Sequence, residues 1–96
     1  MNVEFSDEAD ALVAEIADWW RKNRRAARDL FTDELERAVA NLASMPSIGT
    51  TYKPGQPPVK RLLLPRTHHH VYFVREFDRI YIVSVWSCFR GRGPKL

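Results

Sequence analysis

The feature that most constrains the fold is a change of hydrophobic period near the middle of the chain. Before residue 46, apolar residues recur every three or four positions, which predicts amphipathic helices. After residue 58 they alternate or form short runs, which predicts strands. The segment between them, PSIGTTYKPGQPP (residues 46–58), is rich in proline and glycine and is predicted to be a loop. Helices followed by strands are typical of the α+β class.

Two helices are predicted before this loop. Ser6 is a good N-cap, and the acidic residues after it favour the positive end of the helix dipole, so helix one is predicted over residues 7–23. A second amphipathic pattern predicts helix two over residues 27–43. Because the connection between the two helices is short, they are predicted to form an antiparallel hairpin.

Four strands are predicted, over residues 2–5, 59–64, 69–77 and 79–89. A tight turn at Asp78 would join the last two as a hairpin. The predicted fold is therefore a single α+β domain over residues 1–96. It has a short N-terminal strand and an antiparallel two-helix hairpin packed on a small, mostly antiparallel sheet.

Both faces of this sheet are substantially apolar, although the helices suffice to cover only one. Strict alternation in the last strand places Ile80, Ile82 and Trp86 on one face, and the following residues on the other: Tyr81, Val83, Val85 and Phe89. A half-covered sheet should alternate apolar and polar residues more cleanly. The second face therefore either curls over residues 46–58 or docks a partner.

Charge divides the chain into an acidic half and a basic half. Residues 1–52 hold 6 Lys or Arg and 10 Asp or Glu, a net charge of −4. Residues 53–96 hold 9 Lys or Arg and 2 Asp or Glu, a net charge of +7. The second half is the one that would attract nucleic acid or an acidic protein.

Length and composition exclude several classes of protein. At 96 residues the chain forms one core. No apolar run approaches the roughly 20 residues that a membrane helix needs. The acidic N-terminus shows no signal-peptide pattern, and a single cysteine, Cys88, excludes an internal disulfide framework. We expect a cytoplasmic protein that does not engage membranes.

Several segments, taken in order, resemble the ParE branch of the ParE/RelE toxin superfamily. They are the helix ending in WW, FTDELERAVANLASMPSIGT (residues 31–50), RLLLPRTHHHVYFV (61–74) and VWSCFRGRGP (85–94). The resemblance spans nearly the whole chain, and it implies a helical hairpin on a small antiparallel sheet. It also implies the toxin of a type II toxin–antitoxin pair, of the kind associated with plasmid stabilisation. A ParD-like antitoxin would neutralise the toxin by wrapping its C-terminal segment around it.

The resemblance leaves two activities to separate. ParE-like members are known as DNA gyrase poisons, whereas RelE-like members are ribosome-dependent mRNA endonucleases. RNA cleavage needs a base, an acid and cations at the phosphate. The last strand ends in Trp86-Ser87-Cys88-Phe89-Arg90, without His, Tyr or carboxylate. We therefore expect a gyrase-binding toxin that is not an enzyme and has no catalytic residues, metal or cofactor. Operator DNA binding is expected to reside in the antitoxin.

The triplet His68–His70 supports the endonuclease alternative. With Arg61 and Arg66, one of these histidines could act as a base; in a strand, His68 and His70 would share a face. The more ordinary interpretation is a polar, partly exposed strand start, and two same-face histidines make a weak metal site. Cys88 has no histidine close in sequence, so we expect a partly buried small residue rather than a nucleophile.

The target-binding surface is predicted on the basic half. Gly91, Gly93 and Pro94 would keep the C-terminal tail non-helical and display its arginines, although a frayed basic terminus is the alternative. The residues assigned to this surface are Arg61, Arg66, Trp86, Arg90 and Arg92.

The antitoxin-binding surface is predicted on the helices and on an exposed sheet face. Trp19 and Trp20 lie about 100° apart on a helix, so one should enter the core and the other should line the edge. An edge tryptophan suits an interface anchor. The residues assigned to this surface are Leu12, Ile16, Trp19, Phe31, Leu35, Tyr72 and Val83.

Overall fold

A computed structural model describes residues 1–96 as one helical layer on one sheet. The elements are β1 (Asn2–Phe5), α1 (Asp7–Asn23), a 3₁₀ turn (Arg25–Ala27), α2 (Leu30–Ser44), β2 (Thr50–Lys53), β3 (Val59–Leu64), β4 (His69–Glu76) and β5 (Arg79–Ser87). The sheet order is β1-β5-β4-β3-β2. β1 runs parallel to β5, and every other pair is antiparallel. The α+β prediction is confirmed.

Local signals account for the start of α1. The Ser6 side chain accepts a hydrogen bond from the Ala9 amide at 3.0 Å, as an N-cap should. α2 begins three residues later than predicted, because residues 25–27 form a separate 3₁₀ turn and the Asp29 carbonyl accepts the first helical bond from Asp33. Neither helix has the length and apolar character required to cross a bilayer.

The prediction that residues 46–58 form a loop is wrong for Thr50–Lys53. These residues form β2, which pairs with β3. Gly49 leads into β2 with φ +97°, and a Cβ there would lie 2.8 Å from the Arg61 carbonyl oxygen. Only glycine tolerates both the dihedral angle and this approach. β2 obtains its hydrogen bonds from β3. The local sequence of Thr50–Lys53 does not show this pairing, so it could not predict the strand.

A β-bulge changes which residues of β5 face the helices. Tyr72 pairs with Ser84, but Phe73 pairs with Ile82, so Val83 is the extra residue. Ile82 and Val85 are therefore both buried on the helix-facing side. The prediction of opposite faces for Ile82 and Val85 is wrong, because strict alternation fails at a bulge.

The core lies between the helices and the inner face of the sheet. The helices contribute Ala9, Ala17, Phe31, Leu35, Ala38 and Leu42, and the sheet contributes Leu64, Val71, Phe73, Ile80, Ile82 and Val85. Phe31 and Leu35 were assigned to an antitoxin surface, and that assignment needs accessible side chains. Both are buried, because the apolar stripe of α2 faces the sheet. Their expected accessibility is wrong.

The outer face of the sheet, which points away from the helices, is covered by the chain itself. Tyr72 lies on this face and is only 2% exposed. The Tyr52 ring of β2 packs edge-on against it at 4.7 Å between centroids. The C-terminal tail lies alongside: the Tyr52 hydroxyl donates to the Pro94 carbonyl oxygen at 3.4 Å, and Pro94 is buried. Tyr72 is therefore not an exposed contact residue, and the tail does not fray.

Candidate functional site

A groove opens where β1 stops covering β5. β1 pairs only with Arg79–Ile82, and the chain then turns into α1 at Ser6. The Ser6 amide donates to the Ile82 carbonyl oxygen at 2.9 Å, and its hydroxyl donates to the Val83 carbonyl oxygen at 3.4 Å. Beyond that point no strand pairs with this edge of β5. The half of the strand that ends at Ser87 therefore presents an open edge beside α1.

The groove has an apolar lining and a basic rim. Its volume is about 630 Å³. The apolar side chains come from α1, from the end of β5 and from the segment that follows it: Leu12, Ile16, Trp19, Trp20, Val85, Trp86 and Phe89. The arginines at the rim are Arg24, Arg66 and Arg90, and none of them forms an ion pair within the chain. A groove of this kind suits an amphipathic segment with acidic side chains.

Of the two adjacent tryptophans, one packs against the core and the other lines the edge, as predicted. Trp20 packs against the core, whereas Trp19 is 49% exposed and borders the groove. Their rings meet edge-on at 5.8 Å, and the Arg24 guanidinium lies over the Trp19 ring at 5.6 Å. Trp20 and Arg24 thus hold the exposed Trp19 ring from two sides. The ring therefore loses little conformational entropy when a partner binds.

A carboxylate from α2 holds the β3–β4 turn that forms one wall of the groove. Glu34 accepts hydrogen bonds from the Arg66 amide at 2.8 Å, the Thr67 amide at 3.0 Å and the Thr67 hydroxyl at 2.7 Å. The Arg66 backbone is therefore held by α2 while its side chain stays exposed at the rim.

The three histidines occupy three different environments. His68 adopts φ +58° in the turn before β4, so the expectation that it shares a strand face with His70 is wrong. His69 is buried, and its Nδ1–H donates to the Thr67 carbonyl oxygen at 2.9 Å. Burial lowers the pKa of His69, although the hydrogen bond to Thr67 and the charge of Glu34 act in the opposite direction. His69 is therefore a structural residue, and its burial favours the neutral form of the imidazole.

The outer face carries a second polar cluster, formed by Arg61, His70 and Cys88. Burial, and then the neighbouring Arg61 guanidinium, lower the pKa of His70. Its Nδ1 lies 3.4 Å from the Cys88 sulfur. Cys88 is exposed, so the expectation of a partly buried residue is wrong, and a histidine that is distant in sequence lies beside it. The pairing of β4 with β5 brings His70 and Cys88 together from 18 positions apart, and the pairing of β3 with β4 adds Arg61.

Trp86 joins the groove to the outer face. Its Nε1–H donates to the Arg92 carbonyl oxygen at 2.7 Å, and the Arg90 guanidinium lies over its ring at 4.2 Å. The tail is thus tied to β5, and Arg90 is positioned rather than freely displayed. The Arg92 side chain remains exposed.

The structure brings together residues that were assigned to two separate surfaces. Leu12, Ile16 and Trp19, assigned to antitoxin binding, line the same groove as three residues assigned to the target: Arg66, Trp86 and Arg90. Val83 is the half-buried bulged residue of β5 and does not line the groove. Arg61 lies on the outer face, where its guanidinium is 5.3 Å from the Tyr52 ring centroid.

Sequence reasoning did not select Trp20, Arg24 or Phe89 as site residues. Their places in the groove follow from the packing of α1 against the end of β5. Arg24 carried one usable signal: it directly follows the last turn of α1 and lies five positions after the exposed Trp19.

Comparison with known proteins gives one family match and a structural match. The family model described as ParE toxin of type II toxin–antitoxin system, parDE, matches residues 3–90. No curated protein matches the sequence. A solved structure titled "Chromosomal ParDE TA system from P. aeruginosa" contains a similar chain, with a TM-score of 0.71 and 22% sequence identity. The alignment covers 91% of the present chain and 95% of that chain.

Proposed function

The chain belongs to the ParE toxin family of type II toxin–antitoxin systems, and from that premise we propose that it inhibits growth by binding DNA gyrase until a ParD-like antitoxin neutralises it. The observation that carries the proposal is the groove beside α1. It combines an apolar lining with three arginines that form no ion pair within the chain. These arginines require carboxylates from elsewhere to become paired.

The antitoxin segment occupies the groove and contacts Leu12, Ile16 and Trp19, with Val83 at the side. Acidic side chains of that segment pair with the rim arginines. Phe31, Leu35 and Tyr72 contribute only by supporting these contacts from within the fold, since they are buried. A segment that folds as it binds can make an extended contact of this type. Its conformational entropy is lost during binding, which reduces the net affinity.

The target is bound through the basic half of the chain, by Arg61, Arg66, Trp86, Arg90 and Arg92. This action is stoichiometric binding and needs neither catalysis nor a cofactor. Because Arg66, Trp86 and Arg90 also border the groove, an antitoxin seated there covers part of the target surface. Neutralisation is therefore direct occlusion.

The test is a supercoiling and cleavage-complex assay with purified gyrase and purified toxin. We expect inhibition of supercoiling or trapped cleaved DNA, and at least a tenfold loss of either effect in the double variant Arg90→Ala/Arg92→Ala. Arg37→Ala is the matched control, because Arg37 is an exposed arginine of α2 that forms no ion pair. Gyrase that is unaffected by excess toxin would rule out this target.

One observation favours a second candidate function, ribosome-dependent mRNA cleavage. His70 and Arg61 lie on the same face of the neighbouring strands β4 and β3, and burial followed by the Arg61 charge lowers the pKa of His70. These two side chains are a proton acceptor and a cation, two of the groups that RNA cleavage needs. If wild-type toxin cleaves mRNA on purified ribosomes and His70→Ala does not, the endonuclease replaces the gyrase proposal.

A further inference from the structure

Phe77 is a fully exposed aromatic residue at the tip of the β4–β5 hairpin. Its side chain is 100% exposed, and it is one of only two residues between β4 and β5. Burying a phenylalanine in a partner removes well over 100 Å² of apolar surface from water. Nothing else in the chain uses this side chain for packing.

The backbone at Phe77 is also in a conformation that disfavours phenylalanine. Phe77 adopts φ +47°, and it occupies the first position of a two-residue hairpin turn. Glycine or asparagine meets this requirement at little cost, whereas a bulky residue with positive φ is strained. The residue is thus unfavourable on two counts, exposure and backbone strain, and residues of this kind concentrate at functional sites.

Strand pairing and ion pairs extend up to the tip. β4 and β5 pair up to Glu76 and Arg79. Arg79 pairs with Glu4 at 3.4 Å and Glu76 at 3.5 Å, and its guanidinium lies 4.4 Å from the Tyr81 ring centroid. This strand pairing fixes the backbone on either side of Phe77, so binding has to order only the torsions of its side chain.

The charges and neighbours of the tip identify the class of partner. Three positive groups (Arg75, Arg79 and the Met1 amine) and three negative groups (Glu4, Glu76 and Asp78) surround the tip, so their charges cancel. This neutral surface offers no attraction to nucleic acid or to an anionic lipid surface. Exposed apolar side chains of Met1 and Met45 lie at the same end of the fold, because Asn2 pairs with Arg79 and the Met1 amine donates to the Ala43 carbonyl oxygen. An apolar cleft on a protein fits this surface.

The tip is remote from the groove. The groove borders the Ser87 end of the hairpin, and eight residues of β4 at about 3.3 Å each separate the two ends by about 25 Å. A segment that fills the groove therefore leaves Phe77 free for a different protein.

We propose that Phe77 is an anchor that inserts into an apolar cleft of the toxin's protein target. This inference rests on the proposed function, since it assumes that the chain acts on a target protein. The target would then be contacted at two ends of the molecule, by the arginine surface at one end and by Phe77 at the other. Phe77 stays accessible when the antitoxin fills the groove.

The test compares the full-length wild-type chain with Phe77→Gly, Phe77→Asn and Phe77→Tyr. Gly and Asn remove both the ring and the strain, so we expect a higher urea midpoint for unfolding. We also expect the fall in viable count that toxin expression causes in a bacterial host to be at least tenfold smaller. Tyr keeps the ring and should retain most of the inhibition. Greater stability together with weaker inhibition is a combination that a purely structural role of Phe77 would not produce.

The outcomes separate this inference from the proposed function. Equal growth inhibition by wild type and Phe77→Gly overturns the anchor alone, and so does weaker inhibition that accompanies a lower urea midpoint in both Phe77→Gly and Phe77→Asn. Wild-type chain that inhibits growth without affecting gyrase, while Phe77→Gly does not inhibit, supports the anchor and overturns gyrase as the target. Wild-type chain that leaves growth unaffected overturns both. A dimer in wild type that becomes a monomer in Phe77→Gly, measured by light scattering, overturns the anchor in favour of self-association.

Discussion

Glu34 shows how much one side chain contributes to the groove. Its carboxylate accepts three hydrogen bonds from the β3–β4 turn and so connects α2 to the wall that carries Arg66. Hydrogen bonds to charged groups contribute more than neutral ones, and two of the donors are backbone amides that would need new partners.

We expect Glu34→Ala to lower the free energy of unfolding by about 2 kcal/mol, from the loss of charged hydrogen bonds. Urea denaturation measures this change. Glu36→Ala is the control, because Glu36 is exposed on the same helix and forms no ion pair. Equal midpoints for the two variants would show that the Glu34 contacts contribute nothing to stability.

His69 predicts a dependence of stability on pH. Burial lowers its pKa in the folded chain, so the unfolded chain binds the proton more readily. Stability should therefore be complete above the ordinary histidine pKa of about 6.5 and fall as pH decreases toward the lowered value. Glu34 and His68 are the charged or titratable groups whose fields act on it.

The variant His69→Asn tests this dependence. Its side-chain amide can replace the Nδ1–H donor to Thr67 but does not titrate. We expect the urea midpoint of wild type to fall more steeply between about pH 7 and pH 5 than that of His69→Asn. A residual slope from His70, whose pKa is also lowered, should remain in both proteins. Identical slopes would contradict the assignment to His69.

The C-terminal tail is the element whose conformation sequence reasoning described least well. Its glycines predicted a backbone free to adopt many conformations. In the structure, the Trp86 and Tyr52 side chains both donate hydrogen bonds to its carbonyl groups. A Cβ on Gly93 would overlap the Tyr52 hydroxyl and lie 2.9 Å from the Tyr52 Cζ atom, whereas one on Gly91 would meet nothing within 4 Å. The two glycines therefore differ in role, and only the contact with β2 reveals it.

We expect Gly93→Ala to lift the tail from β2, while Gly91→Ala leaves it in place. Hydrogen exchange of the Trp86 indole N–H, which donates to the Arg92 carbonyl oxygen, should become at least tenfold faster in the first variant only, because lifting the tail removes this hydrogen bond. Equal exchange in both variants would show that the tail is not held at Gly93.

At the scale of the whole molecule, the helices and the sheet share one core. Residues of α1, α2, β3, β4 and β5 contribute to the same buried cluster. Elements that bury their apolar faces against each other lose stability together, so a chain of this size should unfold in a two-state transition.

We expect one cooperative transition, with coincident urea midpoints from far-UV circular dichroism and tryptophan fluorescence. The first signal reports mainly on the helices, and the second reports on Trp19, Trp20 and Trp86, which lie on α1 and β5. Two separated midpoints would show that residues 1–96 do not behave as the single domain predicted from the sequence.

Local sequence determined the features that depend on neighbouring residues. The cap at Ser6, the helical spacing up to Asn23 and the strand pattern of Val59–Leu64 predicted α1 and β3 with the observed bounds. The same patterns predicted the α+β class. The segments that resemble the ParE branch, taken in their order along the chain, predicted the family that was matched.

Tertiary structure decided the features that depend on residues far apart in the chain. β2 exists because β3 supplies its hydrogen bonds, and the bulge at Val83 exists because β4 and β5 shift register. The groove forms because β1 ends beside the middle of β5. The contact of His70 with Cys88 likewise requires strand pairing. Helical periodicity and capping are set within a few residues, whereas strand partners, bulges and grooves are set only when distant segments meet.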